Sequence, residues 1–264
     1  MSFDRFKGPP WLSEALIRTG RKLSDTQTAQ AILSLGDVGL GRSDWMMALA
    51  GWLLCDKAHP SGACGVCQSC TLFKADTHPD LSILGSADFG GASAKIEVVR
   101  EMISTMQKTP SVSRCRVALI MAADTLNTAS SNALLKTLES PEGLCFFILA
   151  SDAEDSILPT LKSRCQRVYL ASEMNSALAL DWLKSSLDVD QTVATHAMDI
   201  SGGLPLKALK YIENESINSW MACLSQCPQA DLKTWQSVFS GSSLIELLNL
   251  IQLLILDRLV VGAH

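Results

Sequence analysis

The chain has 264 residues, with 27 acidic against 22 basic side chains and a formal net charge of −5. Its length predicts about two or three domains, and its composition, 47% hydrophobic and 19% charged, excludes a disordered, collagen-like or low-complexity chain. The acidic balance argues against holding nucleic acid by bulk electrostatics, so any DNA contact is expected to be local or shared with a partner.

The predicted elements begin with alternating helices and short apolar strands. Residues 1–16 are charged and lack an apolar segment with a cleavage site, which predicts no signal peptide and a cytoplasmic protein. The predicted strands are 31–35, 80–84, 117–122 and 145–150, and the predicted helices are 11–21, 44–54, 96–107 and 130–138. Short apolar strands separated by helices are typical of a parallel sheet covered on both faces.

Helical patterns replace strand patterns after about residue 170. We place domain boundaries near residues 170 and 215, which gives an α/β domain (1–170), a small helical domain (171–215) and a carboxyl-terminal helical segment (216–264). The most apolar stretch, 244–256, is interrupted by polar residues and is shorter than the about 20 apolar residues that span a bilayer. It predicts a helix buried on all sides, either within this chain or against another subunit, and no membrane partner.

Four cysteines in the insertion at 55–78 form the sharpest local motif, Cys-x8-Cys-x2-Cys-x2-Cys, with Gly62 and Gly65 at its turns. Four thiolates complete a tetrahedral shell, so the spacing predicts a structural zinc site. The alternative is four reduced cysteines in a loop. His59 is a fifth candidate ligand outside the filled shell. The predicted ligands are Cys55, Cys64, Cys67 and Cys70.

A glycine-rich loop, GDVGLGRS at 36–43, follows a predicted strand and opens a helix, as a phosphate-binding loop does. The motif requires lysine where this chain has Arg42, and a planar guanidinium does not replace a compact ammonium at a crowded site. A glycine turn retained for strand-to-helix geometry is the alternative, although Ser43 could still hold magnesium. The candidate nucleotide-binding residues are Gly36, Gly39, Gly41, Arg42 and Ser43.

A second defect lies at the end of the predicted strand 117–122. Nucleotide hydrolysis needs acidic residues there, for the metal and for the attacking water, but the strand ends in Met121 and Ala122. Asp124 follows two residues later, past the position from which a carboxylate would reach the metal. The two defects together predict that ATP is not bound productively and that the chain has no intrinsic ATPase activity.

Three further segments resemble the AAA+ clamp-loader family. They are NALLKTLESP at 132–141, FFILAS at 146–151 and LPTLKSRC at 158–165. The cysteine insertion, the His-Pro-Asp step at 78–80, the Pro10-Trp11 pair and the degenerate loop strengthen this resemblance, which covers residues 6 to about 215. It implies an AAA+ P-loop-type parallel sheet with an inserted zinc module, followed by a helical lid and a helical collar that is shorter here than is usual.

The resemblance also assigns roles to single residues. Arg164 lies in a Ser-Arg-Cys motif whose arginine reaches the ATP of a neighbouring subunit, although a plain surface arginine is the alternative. Ser151 matches the sensor-1 region. Leu206, with Lys207 beside it, stands where the family has its sensor-2 arginine, which implies that this nucleotide contact is lost.

The function implied by the resemblance is that of a non-hydrolysing subunit in the clamp loader of the bacterial DNA polymerase III holoenzyme. Such a subunit would offer Arg164 in trans to a neighbouring ATPase. The implied partners are the gamma/tau and delta clamp-loader subunits and, through the complex, the sliding clamp and primed DNA. One alternative is an active gamma/tau-like ATPase with an atypical loop. A free-standing zinc protein that binds DNA is a further alternative, which the acidic charge disfavours.

Overall fold

The computed structural model describes residues 4–24, 28, 30–85, 96–139 and 143–214. The chain divides into two compact units, Met1–Met174 and Asn175–His264. The predicted carboxyl-terminal segment 216–264, with its apolar stretch, lies outside the described residues. Within the described part, no helix is both long and apolar enough to cross a bilayer.

The first unit is built on a five-stranded parallel sheet, which confirms the predicted α/β class. Its strands are β1 (Gln30–Leu35), β2 (Leu81–Leu84), β3 (Arg116–Ile120), β4 (Cys145–Ser151) and β5 (Gln166–Tyr169), in the order β2-β3-β4-β1-β5. Strands β3 and β4 are buried along their whole length. Continuous burial is what a parallel sheet covered on both faces requires.

The helices of the first unit are α1 (Ser13–Ser24), α2 (Arg42–Leu54), α3 (Gln68–Lys74), α4 (Ile96–Met106), α5 (Thr128–Glu139) and α6 (Pro159–Arg164). The described helices of the second unit are α7 (Ser176–Leu187), α8 (Gln191–Ile200) and α9 (Pro205–Glu213). Helix α2 begins two residues earlier than predicted, because Gly41, at φ +83°, turns the chain straight into the helix. Helices α3 and α6 and strand β5 were not predicted.

The core of the first unit fills both faces of the sheet. Alternate residues of β1, including Leu33 and Leu35, pack with residues of α4 and α5 on one face. Helices α1 and α2 pack against each other, and α2 contacts β3 and β4. The α1–α2 region contains the largest buried side chains, Trp11, Trp45 and Trp52. The sheet and helix α2 therefore hold the loop between β1 and α2 in a fixed place.

A buried polar network joins the cysteine insertion to the sheet through the imidazole of His78. Nδ1 accepts a hydrogen bond from the backbone N–H of Asp80 (3.1 Å), so Nε2 carries the ring proton. Nε2 lies 2.9 Å from the hydroxyl of Ser69 and 3.1 Å from that of Ser113. Both hydroxyls donate to the carbonyl of Leu54 at the end of α2. The network ties α2 and α3 to the segment before β3.

The carboxylate of Asp80 anchors the same region. It accepts three backbone hydrogen bonds, from Ser111, Val112 and Ser113 at 2.7 to 2.9 Å, and lies 3.3 Å from the Arg116 guanidinium. Burial alone would raise the pKa of Asp80, but these donors and the Arg116 charge hold it below its usual range. Burial also lowers the pKa of His78.

We expect the free energy of unfolding to decrease as the pH falls. Both folded-state pKa values are depressed, so each contribution is complete above the unfolded-state pKa and is lost below it. The contribution of His78 to the free energy of unfolding begins to fall near pH 6.5, and that of Asp80 near pH 4. These are the ordinary pKa values of the two side chains, about 6.5 and 3.9. Urea denaturation at a series of pH values across these two steps measures the free energy of unfolding. Asp80→Asn removes the lower step, and an unchanged profile in this variant would contradict the assignment.

Candidate functional site

The glycine-rich loop occupies the position of a phosphate-binding loop. Strand β1 ends at Leu35, a short 3-10 turn covers Val38–Leu40, and α2 starts at Arg42. Gly36, Gly39 and Gly41 lie in the loop, and Ser43 is half-buried in the first turn of α2. The structure therefore brings the five predicted loop residues together between the sheet and the amino terminus of α2.

The backbone N–H groups of this loop bind acceptors within the loop itself. Gly39 donates to the side chain of Asp37 (2.6 Å), Leu40 to the Asp37 carbonyl (3.1 Å) and Gly41 to the Val38 carbonyl (3.0 Å). A phosphate-binding loop instead directs such groups at the phosphate oxygens. Three of the donors that would cradle an anion are thus already satisfied.

The side chain of Arg42 also turns into the loop. It is 4% exposed, and its Nη1 donates to the carbonyl of Gly36 and to the carboxylate of Asp152, each at 2.5 Å. Asp152 directly follows β4, the strand beside β1. The cation at the position of the motif's lysine is therefore paired with a carboxylate of the same chain.

The amino-terminal segment covers the other side of the loop. The indole Nε1 of Trp11 donates to the carbonyl of Leu40 (2.8 Å). A Cβ atom placed on Gly41 would lie 2.6 Å from Cγ of Pro9, so the proline ring contacts the loop backbone. Asp44, half-buried in the first turn of α2, adds a negative charge where a helix dipole would favour a phosphate. Burial raises the pKa of Asp44.

The strand ends opposite the loop carry few polar groups. Strand β3 ends at Ile120, Met121 is buried, and Asp124 is exposed in the following 3-10 turn. At the end of β4, the hydroxyl of Ser151 donates to the carbonyl of Ala153 (2.8 Å). Thus β3 offers no carboxylate at its end, and Asp152, the acid that follows β4, is bound to Arg42. Leu206 and Lys207 lie in the first turn of α9, in the second unit.

Arg164 is the last residue of α6, and its side chain is 49% exposed. Its Nη2 lies 3.0 Å from Oε1 of Glu139, the last residue of α5, which is exposed to a similar degree. An exposed ion pair of this kind is worth about 0 to 1 kcal/mol. The guanidinium is therefore held near the surface by a weak contact.

The four predicted metal ligands converge. Their Sγ atoms all lie within 4.8 Å of one another, with 3.9 Å between Cys55 and Cys67 and 3.9 Å between Cys64 and Cys70. A tetrahedral site with zinc–sulfur bonds of about 2.3 Å separates its sulfurs by about 3.8 Å. The donor set and its spacing fit a zinc ion. The imidazole of His59 instead contacts Ser61, with 2.9 Å between Nδ1 and Oγ.

Backbone amides surround the cluster and favour thiolates at its turn. Cys64 donates its N–H to Sγ of Cys55 (3.3 Å), and Cys67 donates to Sγ of Cys64 (3.4 Å). The N–H groups of Val66 and Cys67 lower the pKa of Cys64 to about 6. Gly65, at φ +75°, makes the turn between these amides possible. Burial raises the pKa of Cys55 and of Cys70, so the amides favour a thiolate at Cys64 in particular.

The remaining described cysteines lie in the sheet region. Burial raises the pKa of Cys115 to about 12, of Cys145 to about 11 and of Cys165 to about 12. These thiols stay protonated at neutral pH, as expected of small apolar core residues.

A parallel sheet with a GxxxxGRS loop between β1 and α2, combined with a four-cysteine insertion, defines an AAA+ P-loop-type domain whose loop is filled by its own side chains. A family model described as "DNA polymerase III, delta subunit" matches residues 12–174. The chain belongs to this family, as the clamp-loader resemblance predicted.

Curated relatives carry the name DNA polymerase III subunit delta'. The protein of Yersinia pestis is 32% identical over 211 residues, 78% of this chain, and that of Pseudomonas aeruginosa is 33% identical over 201 residues, 75% of this chain. The chain spans 62% and 60% of their respective lengths. Among solved structures, a gamma subunit-related protein from Thermotoga maritima aligns with 86% of this chain and 77% of its own, at 15% identity and a TM-score of 0.45.

Proposed function

We propose that the chain is a non-hydrolysing subunit of the DNA polymerase III clamp loader, which helps to load the sliding clamp onto primed DNA. In this role it supplies Arg164 in trans to a neighbouring ATPase subunit. The observation that carries the proposal is the pairing of Arg42 with Asp152 and the Gly36 carbonyl inside the nucleotide loop. Family membership supports the clamp-loader assignment.

The hydrogen bonds within the nucleotide loop disfavour the binding of a nucleotide. A triphosphate would have to displace Asp152 from Arg42, and it would remove the donor of the half-buried Gly36 carbonyl. It would then meet the acidic first turn of α2, with no carboxylate at the end of β3 to hold a metal ion. The residues present do not fit a magnesium-bound triphosphate.

Arg164 differs from Arg42 in its burial and in its partners. Its side chain is half exposed and has one surface partner, whereas the Arg42 side chain is buried and bound to both a carboxylate and a backbone carbonyl. Exchanging Glu139 for the phosphate of a neighbour costs little, and a planar guanidinium binds phosphate in a bidentate manner. This contrast favours action on another subunit's nucleotide over action on its own.

The proposal includes a structural role for zinc. When bound, a zinc ion would supply a cross-link between the four cysteines. These four ligands fill its shell, so no position remains for substrate. The insertion contributes few buried side chains of its own, among them Phe73, which contacts Phe6. The metal would therefore fix α3 and the turns before it against the rest of the unit.

Co-purification tests the proposed partners. The full chain should form a complex with the gamma/tau and delta subunits of the same bacterium, and this complex should load clamps onto primed DNA. Gamma/tau alone serves as the control for clamp loading. A full chain that binds neither subunit would overturn the proposed function.

Substitution of the loop arginine distinguishes this role from that of an atypical ATPase. We expect no ATP hydrolysis above background from the purified chain, and none from Arg42→Lys, because β3 still lacks a carboxylate for the metal. Phosphate release measures the activity, with a gamma/tau subunit as the positive control. Sustained turnover by the purified chain would favour the active-ATPase alternative.

A further inference from the structure

A cavity lies where the carboxyl-terminal end of α1 meets the cysteine insertion. Its volume is about 440 Å³. It is lined by the carboxyl-terminal end of α1, by the insertion from Cys55 to Pro60 and by Arg114, two residues before β3. Among its described lining residues, Cys55 belongs to the four-cysteine cluster, and none belongs to the nucleotide loop.

Two arginines from separate segments enter the lining of this cavity. Arg21, in the last turn of α1, donates from Nε to the carbonyl of Pro60 (2.9 Å). Arg114 donates from Nη1 to the carbonyl of Ser24 (3.1 Å). A guanidinium has five N–H donors, so each of these side chains is anchored by one donor and keeps the others available.

In the part of the chain that the structure describes, neither arginine has a carboxylate oxygen within 4.0 Å, in contrast to most arginines of the first unit. Six arginines there have a carboxylate oxygen within 4.0 Å, namely Arg5, Arg18, Arg42, Arg116, Arg164 and Arg167. Within the described ranges, no such ion pair is formed by Arg21, Arg114 or Arg100. Of these three, Arg21 and Arg114 share the cavity. Two guanidiniums that form no ion pair with a described residue thus line one cavity in a chain of net charge −5, and the Asp56 carboxylate offsets part of their charge.

Several other polar residues line the cavity beside the two arginines. Among the described residues that line it, Asp56 is the one carboxylate, and Cys55 is also part of the lining. His59 lines it as well. The hydroxyl of Ser24 is buried and has no hydrogen-bond partner in the described part of the chain. A hydroxyl without a partner beside two guanidiniums is a donor set that suits an anion.

We propose that this cavity, the Arg21–Arg114 site, binds phosphoryl anions. Planar guanidiniums match tetrahedral phosphate oxygens through paired N–H donors, and two of them offset the negative charge. The phosphate could belong to a DNA backbone or be a free inorganic anion, and both present the same oxygens. This inference does not rest on the proposed function, because it concerns the purified chain and residues outside the nucleotide loop.

The test uses the full chain and its Arg21→Gln, Arg114→Gln double variant, since glutamine keeps one donor for each carbonyl. Arg100→Gln is the matched control, because Arg100 is likewise exposed and forms no ion pair with a described residue, but lies on α4. Fluorescence anisotropy with a short labelled DNA duplex measures the first source of phosphate. A thermal shift with inorganic pyrophosphate measures the second.

We expect the double variant to weaken binding about ten-fold or more, and to lower the slope of log affinity against log salt by about two. Each single variant should show part of this loss of binding. The single variants therefore test the proposal even if the double variant folds poorly. Loss with the duplex assigns the site to a DNA backbone, and loss with pyrophosphate alone assigns it to a free anion. Wild-type binding of neither probe, or an equal loss in Arg100→Gln, would overturn the proposal.

Discussion

Arg164→Ala is expected to leave folding, zinc content and complex assembly unchanged while it lowers the DNA-stimulated ATPase of the assembled clamp loader several-fold. In phosphoryl transfer, charge spreads over the equatorial oxygens of the γ-phosphate, and an arginine supplied in trans is worth about 10³ to 10⁵ in rate. The loss in the complex should be smaller, because only the site that receives Arg164 is affected. Steady-state phosphate release and clamp loading by the reconstituted complex measure the effect.

Two further variants identify the cause of that loss. Arg164→Lys should restore little activity, since an ammonium cannot present the bidentate donor pair. Glu139→Gln removes the partner of Arg164 and leaves the guanidinium in place, so it should keep near wild-type activity. If Arg164→Ala assembles and loads clamps at the normal rate, Arg164 is a surface charge and the trans-acting role is wrong.

Replacing two of the four clustered cysteines, as Cys64→Ser with Cys67→Ser, is expected to abolish metal binding and to lower the thermal stability of the first unit. Structural zinc in isolated finger peptides binds with about 10 to 16 kcal/mol, and that energy is coupled to folding. The turns that hold Cys64 and Cys67 contribute few buried side chains, so the metal is expected to supply much of their order. Elemental analysis of the purified protein should find one zinc per wild-type chain and none in the variant.

Two observations check the metal assignment. Cys165→Ser, which changes a cysteine outside the cluster, should keep one zinc per chain. Removal of the metal with a chelator should reproduce the lower melting temperature of the double variant. Wild-type protein without stoichiometric zinc, or a double variant that retains the metal, would contradict a four-cysteine site.

Much of the fold follows from the sequence, because its strands are short apolar segments between helices of clear periodicity. Strand β5 was missed since it alternates in burial, with only Val168 fully buried, and lies at the edge of the sheet. Helix α3 was missed because it begins inside the cysteine motif, where ligand spacing dominates the pattern. Its amino terminus is capped by Cys67, whose Sγ accepts the N–H of Cys70.

The candidate site was predicted as a set of positions and not as a set of contacts. The sequence identified Arg42 as a departure from the loop motif, but it did not indicate where the guanidinium would point. Asp152 could have been found from topology, since it follows β4 and the carboxyl ends of parallel strands meet at one edge. Asp37 had no such signal, because a side chain that caps its own loop depends on local backbone geometry.

The most direct test of the account of the nucleotide loop is to titrate magnesium-ATP into the purified wild-type chain and to measure the heat by isothermal titration calorimetry. We predict no saturable heat of binding. Arg42 already donates to the Gly36 carbonyl and to Asp152, and three loop amides already donate to acceptors within the loop. A gamma/tau subunit in the same buffer should bind and serves as the control. Saturable binding of one ATP per chain at micromolar affinity would contradict the account.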